Sequence, residues 1–462
     1  MTLSNRYVTL ILLAGLGTLA FAQSGSTPAR AAPKRIAPIK FSDTRLDNGL
    51  RVILVEDHYA PVYAIAVSYS VGSKDERPGH TGFAHLFEHM MFKGSENVGA
   101  GEHFFLIFNY GGSMNGTTSS DRTVYYEILP KNQLNLGLFL ESDRMRSLAI
   151  TKENLENQRQ AVKEERRLGL DNQAYGYSND RLNELTYDNF AYHHSVIGSM
   201  EDLDAASVED VQGFFKTYYA PNNAVVAIVG DIDGKDALAR VQKYFGNIPR
   251  QEPPKPVDLT EPEMKGERHE AMDDKLARLS QVSINYKIPA ATTDDAPALS
   301  ALGSILGGGE TSRLYQKLVK EKEVCSAINA GSAERLGSGA LRITCTVRPG
   351  KSLKEAESLI AEEVSRMIAA PVTEEELTRV RTSARRSAVG LRESALSRAL
   401  TLANDASVYN DPKRINTETD RLVAVSAADV QRVARTYLRS DNKIVMETTP
   451  AAPAAAPKPA AQ

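Results

Sequence analysis

Tryptophan is absent from these 462 residues, cysteine occurs twice and histidine eight times. Two cysteines cannot build a disulfide framework, so the fold must rest on buried apolar cores. A chain of this length is long enough for two or three domains. An excess of one charge is missing too: 55 Lys and Arg stand against 58 Asp and Glu, a formal net of −3. Without a basic excess there is no electrostatic footprint for nucleic acid. No apolar run reaches the roughly 20 residues that span a bilayer. The run from Val8 to Ala22 follows Arg6 and ends in Ala20-Phe21-Ala22, the pattern of a cleaved export signal. We expect residues 1–22 to be removed and the mature protein to be exported, to a bacterial periplasm or beyond, with no stable membrane insertion. No cysteine follows the run, which argues against a lipoprotein.

What the chain does have is concentrated in five residues. His85-Leu86-Phe87-Glu88-His89 has the order H-x-x-E-H. On a helix, residues four apart share a face, so His85 and His89 can turn both imidazoles to one metal ion. Glu88 lies beside them, where a carboxylate can take a proton from water. Zinc catalysis needs about three protein ligands, an open position and a base. The pentapeptide supplies two ligands, His85 and His89, and the base, Glu88. It is the inverted form of the commoner H-E-x-x-H motif. A lone histidine on an amphipathic helix is usually just hydrogen-bonded; two at this spacing around a glutamate argue for metal, provided a third ligand exists.

Leu155 to Arg167 reads as a charged helix carrying Ala161-Val162-Lys163-Glu164-Glu165-Arg166-Arg167. With this run and the pentapeptide together, the chain resembles the M16 family of zinc metallopeptidases, in its short bacterial form. The resemblance extends from about Thr44 to Val445. It implies a zinc endopeptidase with one Zn²⁺ per chain, held by His85, His89 and Glu165, with Glu88 as base. Glu164, its neighbour, is expected to face solvent. Gly111-Gly112-Ser113-Met114-Asn115-Gly116-Thr117-Thr118 and the strand after it resemble the family's strand pair beside the metal. There a peptide substrate adds to an exposed strand edge, which nominates Gly112, Ser113, Asn115 and Thr117 as substrate-binding residues.

The chain also repeats itself. Ser207-Val208-Glu209-Asp210-Val211-Gln212 returns as Ser426-Ala427-Ala428-Asp429-Val430-Gln431, Thr217-Tyr218 as Thr436-Tyr437, and Asn223 as Asn442, each offset by 219 (426 − 207). We expect an α+β fold of two homologous repeats, each a largely antiparallel sheet packed with helices. The domain plan is a signal peptide at 1–22, a flexible Pro/Ala-rich lead-in at 23–40, and a zinc-binding domain at 41–248. A Pro-rich linker at 249–270, a degenerate second domain at 271–449 and an Ala/Pro tail at 450–462 follow. The offset places Ser304, Gly307 and Gly308 opposite His85, Glu88 and His89, so the second repeat has lost the metal motif. Cys325 and Cys345 fall on two neighbouring strands and are open to pairing in an oxidising compartment, or to remaining buried thiols.

Two departures from the family matter. Members with complete sites commonly carry an Arg and a Tyr, seven apart, that stabilise the developing oxyanion; here those positions hold Val319 and Ser326. Seven residues before Glu165, where some relatives have a glutamate, stands Gln158. The first departure favours the catalytic subunit of a heterodimer, with a second M16-like subunit supplying the Arg/Tyr pair for peptide substrates. The competing expectations are a non-catalytic structural or chaperone-like relative, and a processing protease for one specific partner.

Overall fold

The computed structural model describes residues 36–452. The expected export signal, most of the expected lead-in and all but the start of the expected tail lie outside them. Among the described residues, eleven strands form two sheets. The first contains β1 (Ser42–Arg45), β2 (Arg51–Glu56), β3 (Val62–Tyr69), β4 (Ser113–Thr118), β5 (Thr123–Pro130) and β6 (Ala224–Gly230), in the order β1-β2-β6-β3-β5-β4. The second contains β7 (Arg268–Asp274), β8 (Gln281–Ile288), β9 (Cys325–Ala333), β10 (Gly339–Val347) and β11 (Lys443–Pro450), in the order β7-β11-β8-β10-β9. Only β2 with β6 and β7 with β11 pair in parallel. The central strands are buried on both faces, which is why β3 and β6 read as nearly continuous apolar runs; β8 is as fully buried but alternates, with Gln281, Ser283, Asn285 and Lys287 between its apolar residues.

The repeat is visible strand by strand. Gly116 on β4 leads through Tyr125 and Val67 to Val226, and Ala330 on β9 leads through Ile343 and Ile284 to Val445. The last pair differ by 445 − 226 = 219, the offset of the sequence repeat, while the starting pair on the edge strands differ by 330 − 116 = 214. Asn223 and Asn442 make the same bond, each donating its amide to a carbonyl five residues earlier, on Tyr218 and Tyr437. Ser207 and Ser426 cap their helices with the same reciprocal capping box.

The halves are interlocked by exchanged helices. Helix Ala395–Val408, from the second half, lays Ala399, Leu402, Ala403 and Ala406 on Ile53, Val55, Ala64, Ala66 and Ala227 of the first sheet. Its counterpart at the 219 offset, helix Gly176–Thr186, places Leu182 against Ile444 and Met446 of the second sheet. A polar rim also joins the halves: Asp121 accepts from Tyr192 Oη and from the amide of Leu336, and Arg122 Nε donates to Asn404.

The end of the expected flexible lead-in and the Pro-rich linker are both anchored. Ile39, near the end of the expected flexible lead-in, exchanges two hydrogen bonds with the Asn416 side chain. Within the Pro-rich linker, Glu261 accepts from the amides of Asp188 and Asn189 and pairs with Lys287. Unmet backbone groups near a folded surface found partners that composition did not reveal. A disulfide joins Cys325 to Cys345, from β9 to its neighbour β10.

Candidate metal centre

Helix Phe83–Met90 buries Phe83, Ala84, Leu86, Phe87 and Met90 in the first core. That apolar stripe fixes its rotation and leaves His85, Glu88 and His89 on the opposite side. The helix Lys152–Arg166 is capped by Thr151, whose side chain accepts from the amide of Asn154. It buries Leu155, Gln158 and Val162, and brings Glu165 to the two histidines.

Glu165 Oε2 lies 3.5 Å from His85 Nε2 and 3.2 Å from His89 Nε2. Ligands about 2.0–2.1 Å from a tetrahedral zinc sit roughly 3.4 Å apart. The first distance is too long for a good hydrogen bond, yet both fit edges of that tetrahedron. Burial, then the neighbouring His89, lowers the His85 pKa to about 4, so its ring is neutral and keeps a lone pair for a metal. The buried Nδ1 of His85 has no hydrogen-bond partner among the described residues. The donor set and its spacing therefore fit zinc.

Glu88 stands beside this trio. Its Oε2 accepts from Thr118 Oγ1 at 2.6 Å. Burial raises its pKa, and the Thr118 bond only partly opposes that shift, which moves the group toward the range useful for a base near neutral pH. A Cβ on Gly116 would lie 3.0 Å from Glu88 Cγ, so a side chain there would press on the carboxylate. Neither Thr118 nor Gly116 was singled out from sequence; their role follows from the helix lying across β4.

β4 is an edge of its sheet, with Ser113, Asn115 and Thr117 exposed and Gly112 half-buried just before it. Asn115 Oδ1 accepts from the Gly116 amide, and Arg122 Nη1 holds Thr117. Glu164 points to solvent and pairs with Arg167. Gln158 is buried and donates to Asn157. Val319 is buried in the second core, and Ser326 on β9 donates to the Thr346 carbonyl.

In the second half, Gly307 meets Ala330 much as Glu88 meets Gly116; a Cβ there would lie 2.3 Å from the Ala330 nitrogen. Beside it a cavity of about 560 Å³ is lined by Ser304 and Ala384, which stand 219 after His85 and Glu165. Serine and alanine offer no comparable ligand set.

A second trio, His103, Glu127 and Glu141, also brings three metal-ligating atoms together, fully buried. Arg144 makes it a poor cation site: its guanidinium binds both oxygens of Glu141 and lies over Tyr125 at 4.6 Å. Burial raises both Glu127 and Glu141 to about 7 from 4.5, while His103, which meets Glu127 at 2.7 Å, is pushed down to about 3. Between pH 4.5 and 7 the two folded-state glutamates keep protons that the unfolded chain releases, so this pair makes stability fall as pH rises across that window, while His103, neutral in the fold, offsets part of the fall below 6.5. Glu127→Gln should flatten the decline. Thermal melts of both proteins at several pH values check this; parallel curves would contradict it.

Residues 51–199 match the family described as Insulinase (Peptidase family M16), and residues 205–384 match Peptidase M16 inactive domain. The chain belongs to the M16 peptidase family. Among M16 relatives, the zinc protease PqqE of Helicobacter pylori is 29% identical over 404 residues, 87% of this chain and 90% of that protein. A solved protease from Helicobacter pylori has a TM-score of 0.86 at 27% identity and covers 90% of this chain and 100% of its own. The first half of the periplasmic protease PqqL from Escherichia coli shares the fold, with a TM-score of 0.72 at 21% identity, covering 89% and 92%. The match of the second half to an M16 domain described as inactive accords with its lack of ligands at Ser304, Gly307 and Gly308.

Proposed function

We propose that this M16 protein is an exported zinc endopeptidase that cleaves extended peptides or unfolded segments, with one Zn²⁺ bound by His85, His89 and Glu165. The observation that carries this reading is the convergence of those three side chains, with Glu88 held beside them by Thr118. A zinc ion there supplies a Lewis acid that acidifies the attacking water and polarises the scissile carbonyl. Glu88 takes the water's proton and returns it to the leaving amine. Thr118 keeps that carboxylate oriented, and Gly116 leaves it room. The peptide pairs with the edge of β4 near Gly112, Ser113, Asn115 and Thr117; because backbone pairing is sequence-tolerant, we assign broad specificity. In this plan residues 41–248 carry the chemistry and 271–449 enclose the substrate.

Export rests on the signal-like residues 1–22 and on the periplasmic relative; no helix among the described residues is long and apolar enough to cross a membrane. Val319 and Ser326 favour a heterodimer in which a second M16-like subunit supplies the missing Arg and Tyr.

The test is hydrolysis of an unstructured peptide before and after chelation, with zinc added back. Loss and recovery of activity are expected. Zinc-independent cleavage would overturn the proposal. Absence of cleavage with any peptide, alone or with an M16-like partner, would turn the reading to a structural relative or a protease dedicated to one substrate.

A further inference from the structure

The two ligand-bearing helices are far apart in sequence, and one segment touches both. Helix Phe83–Met90 begins at Gly82, which has a positive φ of 85° and offers no side-chain cap. The cap comes from elsewhere. Glu76, fully buried, accepts from the amide of Gly82 at 2.9 Å through Oε2 and from the amide of Ala84 at 2.8 Å through Oε1. A carboxylate at a helix N-terminus also complements the helix dipole.

Glu76 is itself held by His194, whose Nε2 donates to Oε2 at 2.9 Å. His194 Nδ1 lies 2.9 Å from the carbonyl of Phe190. Both ring nitrogens therefore face acceptors, which calls for a doubly protonated imidazolium. Burial opposes that charge, but the bond to Glu76, its negative charge and backbone acceptors together outweigh it and raise the His194 pKa.

Past His194 the same segment clasps the start of the helix again. Gly198, with φ 76°, packs so closely that a Cβ would lie 2.4 Å from the Thr81 carbonyl oxygen. Asp202 accepts from both the amide and the hydroxyl of Thr81. The opposite side of the segment receives the other helix. Arg159 donates to the carbonyl of Ala206, Lys163 pairs with Asp204, and Arg166 Nη1 donates to the carbonyl of Gly198 at 2.6 Å. Arg166 is the residue after Glu165, and these three cations lie along one helix face.

We propose that residues 194–206, with Glu76 as their anchor, form a positioning bracket that sets Glu165 at ligand distance from His85 and His89 before any metal arrives. The bracket rests on the metal reading above. It acts on affinity for zinc, by pre-organising the ligands, and takes no part in the chemistry.

The test uses the whole mature protein, stripped of metal. Zinc affinity is measured by competition with a chromophoric chelator, together with the absorption spectrum of the Co²⁺ form and the melting temperature of the metal-free protein. Arg166→Met and Glu76→Gln should each weaken zinc binding by about 10–100-fold, the scale seen when groups supporting metal ligands are removed. Each should alter the Co²⁺ spectrum, and Arg166→Lys should restore part of the affinity. The double variant should lose less than the product of the single losses, because both break one device. Unchanged zinc affinity and an unchanged Co²⁺ spectrum, even with a lowered melting temperature, would mean the contacts are merely structural and would overturn the bracket. If Glu76→Gln does not fold, Arg166→Met decides alone. A wild-type protein that binds no zinc would instead sink the metal centre, and the bracket with it.

Discussion

Glu88→Gln is expected to leave zinc content at that of the wild type while lowering peptide turnover by about 10²–10⁴-fold, the range typical for loss of a general acid–base group. The substitution is nearly isosteric, and the amide oxygen still accepts from Thr118 Oγ1, now 2.6 Å from Glu88 Oε2. The proposed ligands His85, His89 and Glu165 are untouched. What disappears is the basic oxygen that receives the water's proton. The measurement is single-turnover hydrolysis of an unstructured peptide by zinc-loaded variant and wild type, with metal content determined on the same samples. Wild-type turnover by Glu88→Gln would mean that another group is the base.

The second large effect concerns what the chain lacks. If an Arg and a Tyr come from a partner, the isolated protein binds zinc but cleaves slowly. Adding an M16-like subunit that carries the pair should raise kcat by about 10²–10³, the effect of one oxyanion donor, without adding metal at this site. Restoring the pair within the chain is not expected to work. Val319 is 7% exposed within the second core, so Val319→Arg would bury a charge there, and Ser326 is an exposed residue on β9. A homogeneous preparation of this chain with high activity, indifferent to any added partner, would contradict the heterodimer and leave the metal centre standing.

The parts of this account that were legible in the sequence are those encoded locally or by repetition. His85, Glu88 and His89 declare themselves because four residues make about one helical turn. The charged helix expected at Leu155 to Arg167 is Lys152–Arg166, because its apolar period and capping residue sit within or next to the segment. The 219 offset carried through to the sheets because Asn223 and Asn442 cap equivalent turns. Glu165 was different: its own surroundings read only as a charged helix face, and resemblance was needed to single it out. Glu76 caps Gly82 and Ala84 from only six and eight residues away, but no residue pattern marks a cap from outside the helix. Thr118, Gly116 and His194 were missed because the side chains that give them their roles lie far off in sequence, 30 residues for Thr118 with Glu88 and 118 for His194 with Glu76. The exchanged helices Gly176–Thr186 and Ala395–Val408 were missed for the same reason. Their amphipathic faces announce burial without saying on which sheet.

The most direct test of the central claim is anomalous diffraction from crystals of the mature protein, recorded on both sides of the zinc absorption edge. The account predicts one zinc peak per chain, about 2.0–2.2 Å from His85 Nε2, His89 Nε2 and a Glu165 oxygen, and no peak in the second-half cavity beside Ser304. A protein prepared with zinc that shows no peak among those three side chains, or shows its zinc elsewhere, would contradict it.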